Sequence, residues 1–287
     1  MDIGDVVVRK SYGKDITFKI IDIKEVETGI IYVLKGMSIR IIADSDKDDL
    51  ELVNKEHMAE KDKILNARVN QAIKKAISER NTSCTRVIKS SKIVQDKELV
   101  FGRPGKVLHI DGDEVYMENC LKVYKQLNIE AVGKAIPEKE QPAAVVEIVK
   151  EVKPDIVVLT GHDGVLKNST DFLSLANYRN SSYYIESVKA LRDYNSSYDE
   201  LVIFAGACQS CYEYILDAGA NFASSPNRVL IHCLDPVFVC EKIAYTRIDT
   251  VVAITDVIEN TITGIKGIGG LQTRGKYREG YPKSPYL

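Results

Sequence analysis

From Lys106 onward the chain alternates short apolar runs with segments of helical period, and no other feature limits its fold so strongly. Lys106–Asp111, Ile129–Ile136, Asp155–Thr160, Leu201–Phe204 and Arg228–Cys233 are the apolar runs. Helical patterns follow around Tyr116–Leu127, Glu138–Val152, Tyr183–Tyr194 and Tyr212–Ala218. Strands that alternate with helices predict an α/β fold, a mostly parallel sheet with helices on both faces. A longer excursion, Val165–Ser182, interrupts the pattern, and Thr250–Ile254 adds a further apolar stretch before a Gly-rich, basic tail.

The first fifty or so residues read differently. Asp5–Arg9, Ile16–Ile21, Ile30–Leu34 and Ile39–Ala43 are short runs rich in β-branched residues, with Gly4, Gly13, Gly29 and Gly36 at the joins. This spacing predicts a small SH3-like β-barrel, serving either to dock a partner or to cap the larger unit. Asp44–Asp49 is an acidic turn. Asn54–Arg80 carries a narrow apolar stripe of Ile64, Leu65, Val69, Ala72, Ile73 and Ile77, predicting a helix packed by one face. Asn81–Gly105 has no steady period and reads as a linker, with Arg80 at its edge and Arg86 and Arg103 within it. The expected organisation is a β-barrel over 1–53, a connecting helix and linker over 54–105, and the α/β domain over 106–287.

Composition excludes more than it assigns. The 287 residues carry a net charge of −2, which argues against a nucleic-acid partner. No apolar run approaches the roughly 20 residues of a membrane helix. The acidic start, Met1–Asp5, lacks a signal-peptide pattern, so cytoplasmic synthesis is expected. Six cysteines in such a chain read as reduced thiols rather than a disulfide framework.

Two strand ends carry the chemistry. Val157–Thr160 breaks into Gly161-His162-Asp163-Gly164, and Leu201–Phe204 breaks into Ala205-Gly206-Ala207-Cys208. The carboxyl ends of parallel strands open onto one crevice, where ligands bind. A thiol is mostly protonated at neutral pH, so a nucleophilic cysteine needs a base beside it. Taken singly, a cysteine at a strand end is usually a packed small hydrophobe and a histidine a satisfied structural group. Their joint placement on successive strand ends points to a Cys208–His162 pair. Cys208-Gln209-Ser210-Cys211 is also a Cys-x-x-Cys sequence, which leaves a thiol–disulfide reading open; that reading makes Cys211 essential. Cys208, Cys211, His232 and Cys233 have the residue types of a metal site. However, adjacent strand residues point to opposite faces and the spacing is poor for zinc. No metal or other cofactor is expected, and His57 and His109 read as structural.

A strand ending in a histidine with a glycine close behind it, here His162 and Gly164, and a later strand ending in Ala207-Cys208, resembles the pattern of the caspase-like (clan CD) cysteine peptidases. There the histidine follows the third strand and the cysteine the fourth. Asp163, between His162 and Gly164, departs from the His-Gly of those enzymes and displaces the oxyanion site. From Met1-Asp2-Ile3-Gly4-Asp5 through the Leu159–Gly164 and Ala205–Ser210 blocks, the whole chain resembles the YabG family of sporulation-specific proteases. That resemblance implies a cysteine endopeptidase of the mother cell, associated with the forming spore coat. It implies trimming of spore-coat and spore-lytic precursors after arginine, by a Cys208–His162 dyad with backbone N–H groups near Cys208 and Gly164 holding the oxyanion. An arginine preference requires a pocket carboxylate, for which Asp235, Asp163 and Asp171 are the candidates, and it makes self-cleavage at Arg80, Arg86 or Arg103 an expectation. A coat scaffold with a degenerate peptidase fold is the non-enzymatic alternative.

Overall fold

A computed structural model describes residues 1–14, 16–27, 29–53, 67–80, 100–167, 169–284 and 286. The N-terminal strands are β1 (Val6–Arg9), β2 (Thr17–Val26), β3 (Gly29–Gly36), β4 (Ile42–Asp46) and β5 (Leu50–Leu52). They form one antiparallel sheet in the order β4-β3-β2-β1-β5. Side chains alternate across β2 and β3, and Val7, Phe18, Ile20, Tyr32, Leu34 and Leu50 bury one face as a small core. The predicted acidic turn is shorter than expected, because β4 runs on to Asp46.

Residues 67–80 form a helix, α1, whose Ile73 and Ala76 join the main core. The start of the expected helix lies outside the described residues. β6 (Phe101–Arg103) pairs with β15 (Arg278–Gly280), so the far end of the predicted linker is a strand. Three strands then alternate with two helices: β7 (Val107–Asp111), α2 (Glu114–Gln126), β8 (Ala131–Ala135), α3 (Gln141–Val152) and β9 (Ile156–Thr160). Next come α4 (Ser181–Tyr194), β10 (Val202–Ala205), α5 (Tyr212–Asp217) and β11 (Phe222–Ser224). The chain continues through α6 (Asp235–Tyr245), β12 (Val251–Val252), α7 (Ile254–Asn260), β13 (Ile268–Gly270) and β14 (Thr273–Arg274).

The main sheet has the order β13-β11-β10-β9-β7-β8, parallel throughout except for β13 at one edge. Successive strand residues face opposite sides. Val107, Ile156, Val158, Val202 and Phe204 pack with α1, α2, α6 and α7, while Leu108, Ile110, Val157, Leu159 and Ile203 pack with α3, α4 and α5. Both faces are covered, which is why these strands are nearly continuous apolar runs. The chain order reverses between β7 and β9, and the crevice outside their carboxyl ends is the place where such sheets bind ligands.

One expected strand is corrected. Arg228–Cys233 is irregular, touching a strand-like partner through a single bridge between His232 and Ile39. The fifth strand is instead Phe222–Ser224, too short to show a period. The apolar character of Arg228–Cys233 reflects burial at the sheet's carboxyl edge, not a place in the ladder.

Candidate functional site

Leu159 and Ala205 are register partners on β9 and β10, and His162 and Cys208 each stand three residues beyond them. The Gly206 N–H donates to Leu159 O at 3.0 Å and Thr160 Oγ1 to Gly206 O at 2.9 Å, so the two strand ends leave the sheet side by side. Gly206 makes this turn at φ +105°, where a Cβ would stand 2.5 Å from Ser224 Oγ. Gln209, directly after the thiol, is held at φ 57°, a left-handed conformation that costs a non-glycine residue about 1–2 kcal/mol.

The imidazole is fixed on every side but one. The His162 N–H donates to Glu138 Oε1 at 2.6 Å, and its carbonyl accepts from Asn180 Nδ2 at 2.8 Å and Tyr184 Oη at 3.2 Å. Gly112 and Gly161 leave the room that Glu138 occupies, since a Cβ at either would lie 2.2 Å from Glu138 Oε1. In the ring, Nε2 meets Asp113 Oδ2 at 3.0 Å, while the buried Nδ1 has no hydrogen-bond partner. Asp113 is held below the usual carboxylate range: burial alone would raise it, but the bonds to His162 and Lys35 outweigh that. An ionised carboxylate only accepts, so it holds the imidazole proton on Nε2 and leaves the Nδ1 lone pair free for proton transfer.

Asp113 is the residue of this candidate site that sequence reasoning passed over. It follows β7 at the carboxyl edge and accepts from the Val115 and Tyr116 N–H groups as the N-cap of α2. Its sequence signal is that of a cap, and an aspartate directly after an apolar strand is the one clue that it also faces the crevice.

Cys208 is fully buried, and its Sγ accepts the Ile231 N–H at 3.2 Å. Burial pushes the thiol up to about 11, more than the Ile231 N–H and nearby Arg40 offset. α5 begins only at Tyr212, so Cys208 stands ahead of the helix start rather than in its first turn. Around it, the Ala207, Gln209, Ser210 and Cys211 amides donate to Ser210 Oγ, Val229 O with Ser225 Oγ, Ala207 O and Ser181 Oγ. The Cys208 amide has no such partner among the described residues. The Gly164 N–H donates to Asp163 Oδ1 at 2.8 Å. Cys211, the N-cap of α5, is equally buried, and both thiols are free.

The three candidate pocket carboxylates are placed apart. Asp163 bonds the Gly164 and Asn180 amides through Oδ1 and the Ser181 and Ser210 hydroxyls through Oδ2, tying the β9 and β10 loops together. Asp235, fully buried at the first turn of α6, accepts from His232, Ile262 and Thr263 amides and the Thr263 hydroxyl. Asp171 is exposed and accepts the Leu173 N–H. Among the described residues, no group of three or more His, Cys, Asp or Glu side chains is placed to share a metal ion. No described helix is long and apolar enough to cross a membrane.

These features define an α/β protein that presents a thiol and an oriented imidazole on adjacent strand ends of a parallel sheet. Over residues 2–282 the sequence matches the family model for YabG peptidase U57, and the chain belongs to that family of peptidases. It is 41% identical over 287 residues to the sporulation-specific protease YabG of Bacillus subtilis (strain 168), covering 98% of this chain and 97% of that protein. The chain is a sporulation-associated peptidase.

Proposed function

We propose that the chain is a caspase-like cysteine endopeptidase, with Cys208 as nucleophile and His162 as general acid and base. The observation that carries this reading is the matched position of the two groups beyond register partners, with His162 Nδ1 left unpartnered. The order of the main sheet supports the caspase-like assignment. Counted from β7, the histidine follows the third strand and the cysteine the fourth.

In the proposed reaction the Cys208 thiol gives its proton to His162, and the thiolate forms a bond to the scissile carbonyl carbon. The Cys208 N–H, and the Gly164 N–H once it leaves Asp163, stabilise the oxyanion; one such donor is worth about 3–4 kcal/mol. The C–N bond breaks as the imidazolium passes its proton to the leaving amine. Water then attacks the thioester, giving a proton to His162, and the acid product leaves as the thiol is regenerated. Asp113 keeps the imidazole in the productive tautomer throughout.

Substrates of this kind are spore-coat and spore-lytic precursor proteins cut after arginine in the mother cell, with the enzyme associated with the forming coat. Of the proposed self-cleavage points, Arg86 lies outside the described residues and Arg103 is exposed on β6. Arg80 is held by Glu241 at 2.7 Å and stacks 3.4 Å over the Tyr245 ring, which makes it a poor one.

Cleavage of a fluorogenic peptide library by wild type, Cys208→Ala and Cys211→Ala tests the reading. Cutting after arginine that is lost in Cys208→Ala and kept in Cys211→Ala is the expected result. Equal loss in both variants would instead favour a redox pair.

A further inference from the structure

The loop from Met37 to Ile41, between β3 and β4 of the N-terminal sheet, lies against Ile231–Cys233, the segment that holds Cys208 Sγ. Ile39 and His232 form an antiparallel bridge, and the Cys233 N–H donates to Ser38 O at 2.9 Å. The main chain of Ser38–Arg40 thus meets Ile231–Cys233 in a short extended contact of one bridge and one main-chain hydrogen bond. The Ile231 amide at the start of that contact is the one that donates to Cys208 Sγ, at 3.2 Å. Tyr116 Oη holds the same loop by bonding the Gly36 and Ile39 carbonyls.

Arg40 then drops its side chain between the strand ends, where it is wholly buried. Its Nη1 meets Asp111 Oδ2 at 2.5 Å, its Nη2 meets Cys233 O at 3.2 Å, and its plane lies 5.1 Å over the Tyr116 ring. Asp111 is the last residue of β7, at the point where the strand order reverses. A fully buried ion pair is an inefficient way to join two units, since its desolvation costs several kcal/mol and apolar contacts serve as well. A carboxylate, a carbonyl and an aromatic ring gathered two residues along the chain from the Ile231 amide that holds Cys208 Sγ form the environment a guanidinium substituent requires.

We propose that Asp111 is the carboxylate that selects arginine before the cleaved bond, and that the chain's own Arg40 fills this pocket and shields Cys208. The proposal rests on the reading of an arginine-cutting cysteine peptidase and names the specificity residue and the blocking segment of that site. Asp163 and Asp235, each saturated by bonds within the chain, keep framework roles.

The test compares full-length wild type, Arg40→Ala, and Arg40→Ala/Asp111→Asn, in which neither charge is left unpaired. Each is assayed on matched peptides with arginine or citrulline before the cleaved bond, and Cys208 alkylation by iodoacetamide is followed by peptide mass. Arg40→Ala should alkylate at Cys208 and cleave the arginine peptide at least about tenfold faster than wild type. Its preference for arginine over citrulline should be about a hundredfold or more, falling below about fivefold in the double variant. A double variant that keeps the preference overturns the role of Asp111 while leaving the peptidase reading intact. Wild-type thiol reactivity in folded Arg40→Ala overturns the shielding. Cleavage by Arg40→Ala after a residue other than arginine removes the arginine preference itself, and this inference with it. If Arg40→Ala alone fails to fold, the double variant still decides, through its alkylation rate and its arginine-to-citrulline ratio.

Discussion

At the scale of single residues, Asp113 has two roles that one substitution separates. Oδ1 caps α2 and Oδ2 orients His162, while Lys35 reaches both oxygens at 2.7 and 2.5 Å. Asparagine caps a helix about as well as aspartate, but it carries no charge to stabilise an imidazolium or to fix the Nε2 proton. Compared in a Lys35→Met background, where the Lys35 contact is already gone, Asp113→Asn is therefore expected to lower kcat by about tenfold or more with little change in KM, while the thermal midpoint moves by only a few degrees. A kcat within about twofold of the Lys35→Met parent would remove Asp113 from the chemistry. His162 and Cys208 were legible in the sequence because each breaks an apolar run with small residues around it. Asp113, Asp111 and Arg40 were not. Asp111 reads as the polar end of a strand, and Arg40 as one residue of a β-branched run whose destination lies in another part of the fold.

Among the elements, the turn that ends β10 leaves little room for a side chain. Gly206 sits at φ +105°, and a Cβ there would be 2.5 Å from Ser224 Oγ and 3.2 Å from Ile215 Cδ1. Ser224 Oγ is itself committed, donating to Ala207 O at 2.8 Å. Gly206→Ala therefore combines backbone strain of about 1–3 kcal/mol with a displaced hydrogen bond worth about 1 kcal/mol. Urea unfolding should show a loss of about 2–4 kcal/mol, and a loss under about 0.5 kcal/mol would show that the turn relaxes freely. The parallel strands were legible because burial on both faces leaves them as apolar runs bounded by helical periods. Phe222–Ser224 was not, since three residues carry no period, and Arg228–Cys233 imitated a strand because its β-branched residues are buried for another reason. Periodicity reports burial, and pairing decides whether a buried run is a strand.

For the whole molecule, the question is how an N-terminal sheet with its own core is latched to the carboxyl edge of the main sheet. Lys35 near the end of β3 and Arg40 on the loop that follows meet Asp113 and Asp111, two carboxylates at and just beyond the end of β7. Arg40 with Asp111 is fully buried, whereas the Lys35 and Asp113 side chains keep 17% and 11% exposure, so the second contact is the outer one. Removing the outer contact should favour opening without unfolding either body, because Val7, Phe18, Ile20, Tyr32, Leu34 and Leu50 still hold the small sheet together. Lys35→Met keeps most of the side-chain length and discards the charge. It should speed alkylation of Cys208 about tenfold, equivalent to about 1.4 kcal/mol of opening free energy, with the main urea transition nearly unmoved. The acceleration should fall short of that in Arg40→Ala, since the buried anchor is intact. Neighbouring contacts are coupled, so adding Lys35→Met to Arg40→Ala should give less than the product of the two rate changes. If Lys35→Met left the thiol as protected as in wild type, the loop would be held by Arg40, Tyr116 and the main-chain contacts to His232 and Cys233 without it, and Lys35 would serve only to set the charge around His162.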